Sequence, residues 1–364
     1  MSEILKNPSA FPGCDFVLQL GEKRGGTEIR ILQITDMQFI DAAQRRTPDR
    51  LRADEIHAWD PALFDANGGD QIRSLAAQVR PDLIIITGDI IYGSFDDSGT
   101  TMQWFCTMMD SLEIPWAPVW GNHDNESKMG IEWQCAQFTA SKYCLFARGD
   151  VPGNSNYTVG IACGEKLVRV LYMLDSGGCR SEDPTARRES GICEEQLAMV
   201  RARAAQIADA QGRTVPAFMA YHIPNEPFAA AEYAKGYRTD ENSQYVLGVD
   251  MPARDGDFGC CLQSFRAAAA APDFVEVIRA CGVDGIFAGH YHKINTCITH
   301  EGVRYVFGLK TGQYDFHNPY QLGGTRIALR GDEFDVSHVP ALARLAPFPG
   351  GSRMFNGFFA KNEN

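Results

Sequence analysis

The chain has 364 residues, of which 45% are hydrophobic and 22% are charged, and its formal net charge is −12. This is the composition of a globular protein that can bury a large core. The excess of acidic residues argues against long nucleic acid as a partner, because Lys and Arg neutralise its phosphates, whereas a small phosphorylated ligand can still bind through metal cations.

In chain order, the sequence begins with MSEILKNPSAFPGCDF, which contains no apolar signal segment. No run of about 18 apolar residues occurs anywhere, so we expect neither a transmembrane helix nor a membrane partner. Eleven cysteines are scattered without CxxC pairs, which favours reduced thiols and a cytoplasmic location. We interpret Cys260, Cys261, Cys179 and Cys193 as small hydrophobic residues, with redox or metal binding as the alternative.

Short apolar runs, each ending in a polar loop, recur along the chain and are typical of β-strands. The predicted strands are residues 29–34, 82–86, 116–120, 168–174, 215–221 and 285–288. Apolar residues at one-face helical spacing predict helices over residues 70–80, 194–210 and 273–280. Strands that alternate with helices predict an α/β fold, in which ligands bind at the carboxyl ends of the strands.

Beyond His292 the pattern changes to four apolar runs that predict consecutive antiparallel strands, over residues 296–300, 303–309, 325–330 and 334–339. No segment resembles a linker, so we predict one domain over residues 1–340 and a C-terminal surface extension over residues 341–364. Residues 229–259 lack clear periodicity and are rich in Tyr, Asp and Gly. Because such segments between ligand loops often serve recognition, we interpret this one as a lid or specificity loop.

Polar side chains collect at the ends of the predicted strands, where a ligand would bind. They are Asp36, Gln38, Asp89, Asn122, His123, Asp124, His222, His290 and His292. Carboxylate, imidazole and carboxamide groups suit metals such as Zn, Mn and Fe. One histidine at a strand end is more often structural than a ligand, but four of the eight histidines of the chain stand in this set. The pattern therefore favours a metal site.

The order of these motifs resembles that of a known family. Asp-x-Gln, Gly-Asp, Gly-Asn-His-Asp, a lone His and Gly-His-x-His follow one another between residues 31 and 330, and this set is similar to the signature of calcineurin-like metallophosphoesterases. Within that superfamily the chain most resembles small purple-acid-phosphatase-like proteins of plants and related fungal phosphatases. The resemblance implies a four-layer α-β-β-α sandwich with two mixed β-sheets.

The resemblance also implies a role for each motif residue and two metal ions per chain, chosen among Fe, Mn and Zn. Asp89 would bridge the two metals. Asp36 and His292 would complete the first metal position, and the second would be completed by Asn122, His222 and His290. The metal pair would activate a water for attack on phosphorus. His123 would stabilise charge or protonate the leaving oxygen, oriented by a hydrogen bond to Asp124, for which capping a helix is a compatible alternative.

One position departs from the family pattern, because the first motif normally ends in His and here ends in Gln38. A carboxamide oxygen is a weaker ligand than an imidazole, so the first position would be looser. Tyr92 stands at the spacing where purple acid phosphatases carry an iron-binding tyrosinate, which would favour Fe(III). The alternative is that Tyr92 is an aromatic residue of the core or of the rim of the site.

Several residues beside the motifs are weaker candidates. Four polar residues beside the ligand loops could contact the substrate or support the metal ligands; they are Asn125, Glu126, Asn225 and Glu226. An equal alternative is that they are polar only because they lie in turns. We expect His317 at the surface, with a loop that reaches the rim of the site as the alternative. We expect Arg187 and Arg188 to be solvated charges, with contact to a phosphate as the alternative.

The function implied by the resemblance is hydrolysis of a phosphate monoester, carried by a phosphoprotein or a small metabolite. A phosphodiesterase with the same metals is the nearest alternative, since both reactions use the same attack on phosphorus. A non-catalytic scaffold that keeps the fold and binds a partner is the alternative from another class, and Gln38 is its only support.

Overall fold

The computed structural model describes residues 3–21, 27–47, 56, 59–178 and 190–341. The predicted C-terminal extension, apart from Ala341, lies outside these residues, as do Cys179, Arg187 and Arg188. No helix among the described residues is both long and apolar enough to cross a membrane.

Strands and helices alternate through most of the described chain. The strands are β1 Glu3–Lys6, β2 Phe16–Leu20, β3 Ile29–Ile34, β4 Leu83–Thr87, β5 Trp116–Val119, β6 Tyr157–Cys163, β7 Lys166–Met173, β8 Gly191–Ile192, β9 Ala217–Ala220, β10 Tyr245–Val246, β11 Cys260–Cys261, β12 Ala269–Ala270, β13 Val283–Ala288, β14 Cys297–His300, β15 Val303–Phe307, β16 Gly323–Arg330 and β17 Glu333–Pro340. The α-helices are α1 Asp70–Val79, α2 Thr100–Ser111, α3 Ile131–Ala140, α4 Glu194–Gln211, α5 Glu226–Ala234 and α6 Phe274–Ala280.

Two large mixed sheets contain most of the strands. Eight strands form one sheet in the order β1-β2-β6-β7-β9-β13-β15-β14, in which β7, β9, β13 and β15 are parallel to one another. Five strands form the other in the order β17-β16-β3-β4-β5, in which β3, β4 and β5 are parallel, and β16 is antiparallel both to β3 and to β17. Short pairs form between β10 and β11 and between β12 and β8.

The two large sheets pack face to face. Phe218 of β9 meets Phe334 of β17 at 4.7 Å between ring centroids, and the buried Arg169 guanidinium lies 4.4 Å from the centre of the Phe218 ring and 2.6 Å from Asp284. Helices α1, α2 and α3 cover the five-stranded sheet within the same core, and α4, α5 and α6 pack with the outer face of the eight-stranded sheet in a second core. The predicted four-layer α-β-β-α architecture is therefore confirmed.

The sequence of β4 shows why its end carries a ligand loop. All five residues of LIIIT are buried, because β4 lies between two parallel neighbours and both of its faces are covered. Strands of this kind are continuous apolar runs rather than alternating ones. The first polar residue that follows such a strand emerges at the edge of the sheet, where Asp89 stands.

The strands after His292 differ from the prediction in one respect. They form two antiparallel hairpins as expected, but β14 and β15 belong to the eight-stranded sheet and β16 and β17 to the five-stranded sheet. Residues 308–322 therefore carry the chain from one sheet to the other. Strand patterning shows which residues alternate and does not show which sheet receives the strand.

Three of the α-helices in the described ranges were not predicted from periodicity. They are α2, α3 and α5, and α5 falls partly inside the segment 229–259 that we interpreted as a loop. That segment also contains a buried ion pair, in which Arg238 Nε lies 2.6 Å from Glu232 Oε2. Its first part is thus packed structure, and its role as a lid or specificity element stays a prediction.

Candidate metal centre

The carboxyl ends of β3, β4 and β5 in one sheet and of β9 and β13 in the other meet at one edge of the molecule. Four residues that follow these strands adopt a left-handed backbone, with φ of 56° at Asp36, 50° at Gln38, 50° at Asp89 and 73° at His290. Non-glycine residues rarely adopt this conformation, which costs free energy and tends to occur at functional sites. The fold holds these side chains in one place at that cost.

One group of donors surrounds the Nε2 atom of His222. This atom lies 3.2 Å from Asp89 Oδ2, 3.1 Å from Asn122 Oδ1 and 3.3 Å from His290 Nδ1. The ligand atoms of Asp89, His222 and His290 all lie within 4.8 Å of one another. A carboxylate, two imidazoles and a carboxamide oxygen that converge in this way fit a borderline metal such as Zn, Mn or Fe.

A second group of donors adjoins the first. The ligand atoms of Asp36, Asp89 and His292 lie within 4.8 Å of one another, with His292 Nε2 at 3.4 Å from Asp36 Oδ1. Asp89 belongs to both groups, and a carboxylate can direct one oxygen to each of two ions. The residues predicted as ligands are thus brought together, and the arrangement fits two neighbouring metals.

Backbone carbonyls orient two of the imidazoles. The Nδ1 atom of His222 lies 2.7 Å from the carbonyl oxygen of Thr87, and that of His292 lies 2.5 Å from the carbonyl oxygen of Phe316. A carbonyl oxygen only accepts hydrogen bonds, so Nδ1 carries the proton and Nε2 faces the donor group. Neither contact could be predicted from the sequence, because every residue has a backbone carbonyl and no side-chain pattern marks Thr87 or Phe316.

The charges of the centre compensate one another. Burial opposes a charge on His222, but the Asp89 carboxylate beside it raises the pKa of His222 to about 9. Burial likewise opposes the charge of Asp89, whose pKa is nevertheless held well below its usual range by His222 and His123. For His290, burial and the neighbouring charge of His222 lower the pKa to about 3. His290 is therefore neutral at pH 7, with a lone pair that can bind a cation.

His123 lies at the margin of the two donor groups. Its backbone N–H donates to Asp89 Oδ1 at 2.9 Å, and its Nδ1 lies 2.9 Å from Glu126 Oε2. The ring of Tyr92 stacks on the imidazole at 4.5 Å between centroids and 20° between planes. The side chain of His123 is 14% exposed, so a substrate can reach it. Glu126 and Tyr92 together fix the orientation of the ring.

Asp124 does not make the predicted hydrogen bond to the His123 imidazole. Its Oδ1 accepts the backbone N–H groups of Ile90 at 2.8 Å and Ile91 at 3.0 Å, and its Oδ2 accepts that of Gly121 at 2.7 Å. Burial and the charge of Asp89 raise the pKa of Asp124 to about 7. The carboxylate therefore joins the loops that follow β4 and β5, and the role of orienting His123 passes to Glu126.

Gln38 is linked to a lysine that sequence analysis missed. Gln38 Nε2 donates to Asp89 Oδ2 at 3.3 Å, while Gln38 Oε1 lies 3.5 Å from Nζ of Lys310. Lys310 is 2% exposed, and its ammonium also donates to the backbone oxygen of Asp36. The sequence gives no signal for it, because Lys310 stands in a loop far along the chain from Gln38.

The weaker candidates separate by their contacts. Asn125 donates to the carbonyl of Gly121 at 3.5 Å, and Asn225 accepts the Tyr221 hydroxyl at 2.8 Å just before α5. Glu226 accepts the N–H of Ala270 at 3.4 Å. These bonds hold loops in place, and a substrate contact by any of the three stays a prediction.

Two further expectations concern residues outside the centre. His317 is fully buried, with Nδ1 at 2.8 Å from the Asp315 carbonyl oxygen, so its predicted surface position is wrong. Cys260 and Cys261 are buried, and burial raises their thiol pKa to about 12 and about 11. A protonated, buried thiol is a poor nucleophile and metal ligand, in agreement with their interpretation as small hydrophobic residues.

Several known proteins are similar to this chain. Two proteins of Arabidopsis thaliana, named probable inactive purple acid phosphatase 14 and probable inactive purple acid phosphatase 29, are 23% and 25% identical to it over 328 and 325 residues. The alignments cover 82% and 83% of this chain and 73% and 75% of the relatives. Phosphatase DCR2 of Saccharomyces cerevisiae is 35% identical over 109 residues, which are 27% of this chain and 19% of that protein.

Solved structures give further similarities. A dimetal phosphatase from Danio rerio covers 86% of this chain and 99% of its own length at 14% identity, with a TM-score of 0.49. Purple acid phosphatase PPD1 from yellow lupin seeds covers 91% of this chain and 55% of its own at 11% identity, with a TM-score of 0.44. Residues 29–188 of this chain match the family described as calcineurin-like phosphoesterase.

Proposed function

We propose that the protein hydrolyses phosphate monoesters at a centre of two metal ions. The observation that carries this proposal is that two groups of metal donors share Asp89, and that the backbone N–H of His123 donates to the same carboxylate at 2.9 Å. A binding scaffold has no need for an oriented imidazole beside two adjoining donor groups, whereas a hydrolase needs both.

The residues of the centre divide into two sets. Asp36, Asp89 and His292 would hold one ion, and the other would be held by Asp89, Asn122, His222 and His290. Bound ions would supply Lewis-acid chemistry, lowering the pKa of the attacking water and neutralising charge on the phosphate. The donor set fits Fe, Mn or Zn.

In this reaction His123 would donate a proton to the leaving group. Because Glu126 engages Nδ1 at 2.9 Å, the remaining ring nitrogen, Nε2, is the one that can carry a proton to the ester oxygen. The stacked Tyr92 ring limits rotation of the imidazole. Positioned proton transfer of this kind contributes roughly 10²–10⁴-fold to a rate.

A comparison of monoester and diester substrates tests the proposal. We expect protein reconstituted with Mn²⁺ or Zn²⁺ to hydrolyse p-nitrophenyl phosphate faster than bis(p-nitrophenyl) phosphate. His123→Ala should lower the rate by about 10²-fold or more at unchanged metal content. His300→Ala is a matched control, because His300 pairs with Val303 at the opposite end of β15 from the centre, and it should keep wild-type activity.

Two other outcomes would replace the proposal. A clear preference for the diester would make the protein a phosphodiesterase with the same centre. The names of the Arabidopsis relatives, which are called probable inactive, favour testing a third reading as well. Wild-type protein that is fully loaded with metal and still inactive on both esters would be a metal-binding scaffold.

A further inference from the structure

Lys310 is a buried cation next to two residues of the candidate centre. It is 2% exposed, and it follows β15 in the segment that crosses between the two sheets. Its Nζ donates to the backbone oxygen of Asp36 and lies 3.5 Å from Gln38 Oε1. A lysine is almost never this deeply buried unless its charge is compensated, so its position calls for an explanation.

The orientation of the Gln38 carboxamide follows from its two neighbours. The ammonium of Lys310 lies on one side and the Asp89 carboxylate on the other, 3.5 Å and 3.3 Å away. The carboxamide oxygen can only accept and the NH₂ group can only donate. A flipped carboxamide would place the NH₂ group against the ammonium and the oxygen against the carboxylate, and both contacts would be repulsive. The charges therefore direct the oxygen to Lys310.

This orientation bears on the first metal position, which Asp36 and His292 would form with Asp89. The only side-chain atom of Gln38 that can bind a cation is the oxygen that faces Lys310, and the group that faces Asp89 is an NH₂ donor. We infer that Lys310 is a positioning residue that holds the Gln38 carboxamide oxygen away from the first metal position and makes that position the weaker of the two.

Two consequences of Lys310 act in the same direction, on the premise that the proposed two-metal centre is correct. Three side chains remain to bind at the first position, against four at the position formed by Asp89, Asn122, His222 and His290. The ammonium also repels a cation held by Asp36, and burial of both groups weakens screening by water and salt. The two positions should therefore fill in order, the one at His222 first.

Metal titration tests this inference without reference to activity. Metal-free protein is titrated with Mn²⁺, and free Mn²⁺ is measured by its electron paramagnetic resonance signal. We expect two binding steps in the wild type, the second at least about tenfold weaker than the first. Lys310→Met keeps the aliphatic stem and removes the charge. Lys310→Met should raise the Mn²⁺ affinity of the second step by about tenfold, a change of the size found when partners of metal ligands are altered. The affinity of the first step should change by less than about threefold.

A matched control separates this contact from overall charge. Lys142→Met changes the net charge equally, and the neighbouring Tyr143 accepts from Trp116 at the start of β5, which places Lys142 at the edge opposite the centre. It should leave both steps unchanged. Equal binding steps in the wild type, an unaltered second step in Lys310→Met, or the same shift in both lysine variants would overturn the inference.

If Lys310→Met does not fold, Gln38→Leu decides the question. If the Gln38 carboxamide does not bind metal, Gln38→Leu should change the Mn²⁺ affinity of the second step by less than about threefold. If the carboxamide is a metal ligand, its loss would weaken that affinity by about tenfold or more. Failure of the proposed function would be seen separately, as a protein that binds two Mn²⁺ ions in unequal steps and hydrolyses neither ester.

Discussion

Glu126 Oε2 lies 2.9 Å from Nδ1 of His123, three residues earlier in the chain. A short 3₁₀ helix over Asp124–Glu126 produces this contact, because residues three apart stand above one another in that helix. The side chains are 14% and 10% exposed, so the hydrogen bond is largely shielded from water. The carboxylate that orients the imidazole is thus Glu126, and it belongs to the same Asn-His-Asp motif loop as the imidazole itself.

Removal of the Glu126 carboxylate should slow the reaction without loss of metal. We expect Glu126→Ala to lower kcat by about 10–100-fold, the usual effect of losing a group that orients a functional histidine, with little change in KM. Glu126→Gln keeps an oxygen that can accept from Nδ1–H and should recover part of the rate. Steady-state kinetics and metal analysis measure these effects. Equal rates in Glu126→Ala and wild type would show that the contact has no role in the reaction.

Replacement of Asp124 should act on stability first. Its two oxygens accept three backbone N–H groups, those of Ile90, Ile91 and Gly121. In Asp124→Asn one oxygen becomes an NH₂ group, which leaves at least one buried N–H without its acceptor. We expect the free energy of unfolding to fall by about 1–3 kcal/mol, measured by urea denaturation. A variant as stable as the wild type but with an altered kcat would return Asp124 to the role first predicted for it.

Tyr92 offers a test between its two interpretations. Its ring stacks on His123 at 4.5 Å and packs at 5.4 Å from Trp59 and 5.3 Å from Phe95, which supports the role of an aromatic at the site. Tyr92→Phe keeps the ring, so kcat should stay within about threefold, whereas Tyr92→Ala should lower it by about tenfold or more. A purple tyrosinate band in the iron-loaded wild type that disappears in Tyr92→Phe would make the phenolate a metal ligand instead.

The metal donors of the centre could be predicted from the sequence, because their side chains follow successive predicted strands. Asp36, Asp89 and His222 each follow a mainly apolar strand, and the parallel arrangement of neighbouring strands places their ends at one edge. The contacts that connect distant loops could not be predicted in this way. Lys310 contacts Asp36 and Gln38 across more than 270 positions of the sequence. No motif in the residues around Lys310 predicts these contacts.

The error over Asp124 has a different physical cause. The residues beside His123 include two carboxylates, Asp124 and Glu126, and either could orient the ring. The choice depends on the position of the backbone N–H groups in the loop after β4, because these donate to Asp124 and so leave Glu126 to contact the imidazole. Such competition is decided by tertiary structure. The same holds for the change of sheet between β15 and β16, which depends on what each hairpin packs against.

His338 should make stability depend on pH in a region remote from the centre. Its Nε2–H donates to the carbonyl of Asn295 at 2.7 Å, and its Nδ1 lies 3.0 Å from the Thr325 hydroxyl, which itself accepts from Leu309 N–H. Nδ1 therefore accepts a hydrogen bond from the Thr325 hydroxyl, as only a neutral imidazole can. Burial lowers the pKa of His338 to about 4, although the bond to Asn295 opposes the shift.

The sign of the pH effect follows from that lowered pKa. The folded pKa lies below the unfolded value of about 6.5, so the unfolded chain binds the proton more readily. The contribution of His338 to stability is then complete above about pH 6.5 and declines as the pH falls towards 4. The side chain of His338 is partly exposed, which reduces the effect. We therefore expect the free energy of unfolding to lose roughly 1–2 kcal/mol of the His338 contribution between pH 7 and pH 5.

His338→Gln isolates this contribution, because Gln keeps a neutral donor for Asn295 and does not titrate. Urea denaturation of both proteins at pH 7, 6 and 5, in the same Mn²⁺ concentration, gives the difference between their free energies of unfolding at each pH. Metal binding and all other titrating groups contribute to both proteins and cancel in that difference. The advantage of the wild type over the variant should shrink by roughly 1–2 kcal/mol from pH 7 to pH 5. A difference that stays constant with pH would mean that His338 protonates equally in the folded and unfolded chain, and that its hydrogen bonds to Asn295 and Thr325 do not select the neutral form.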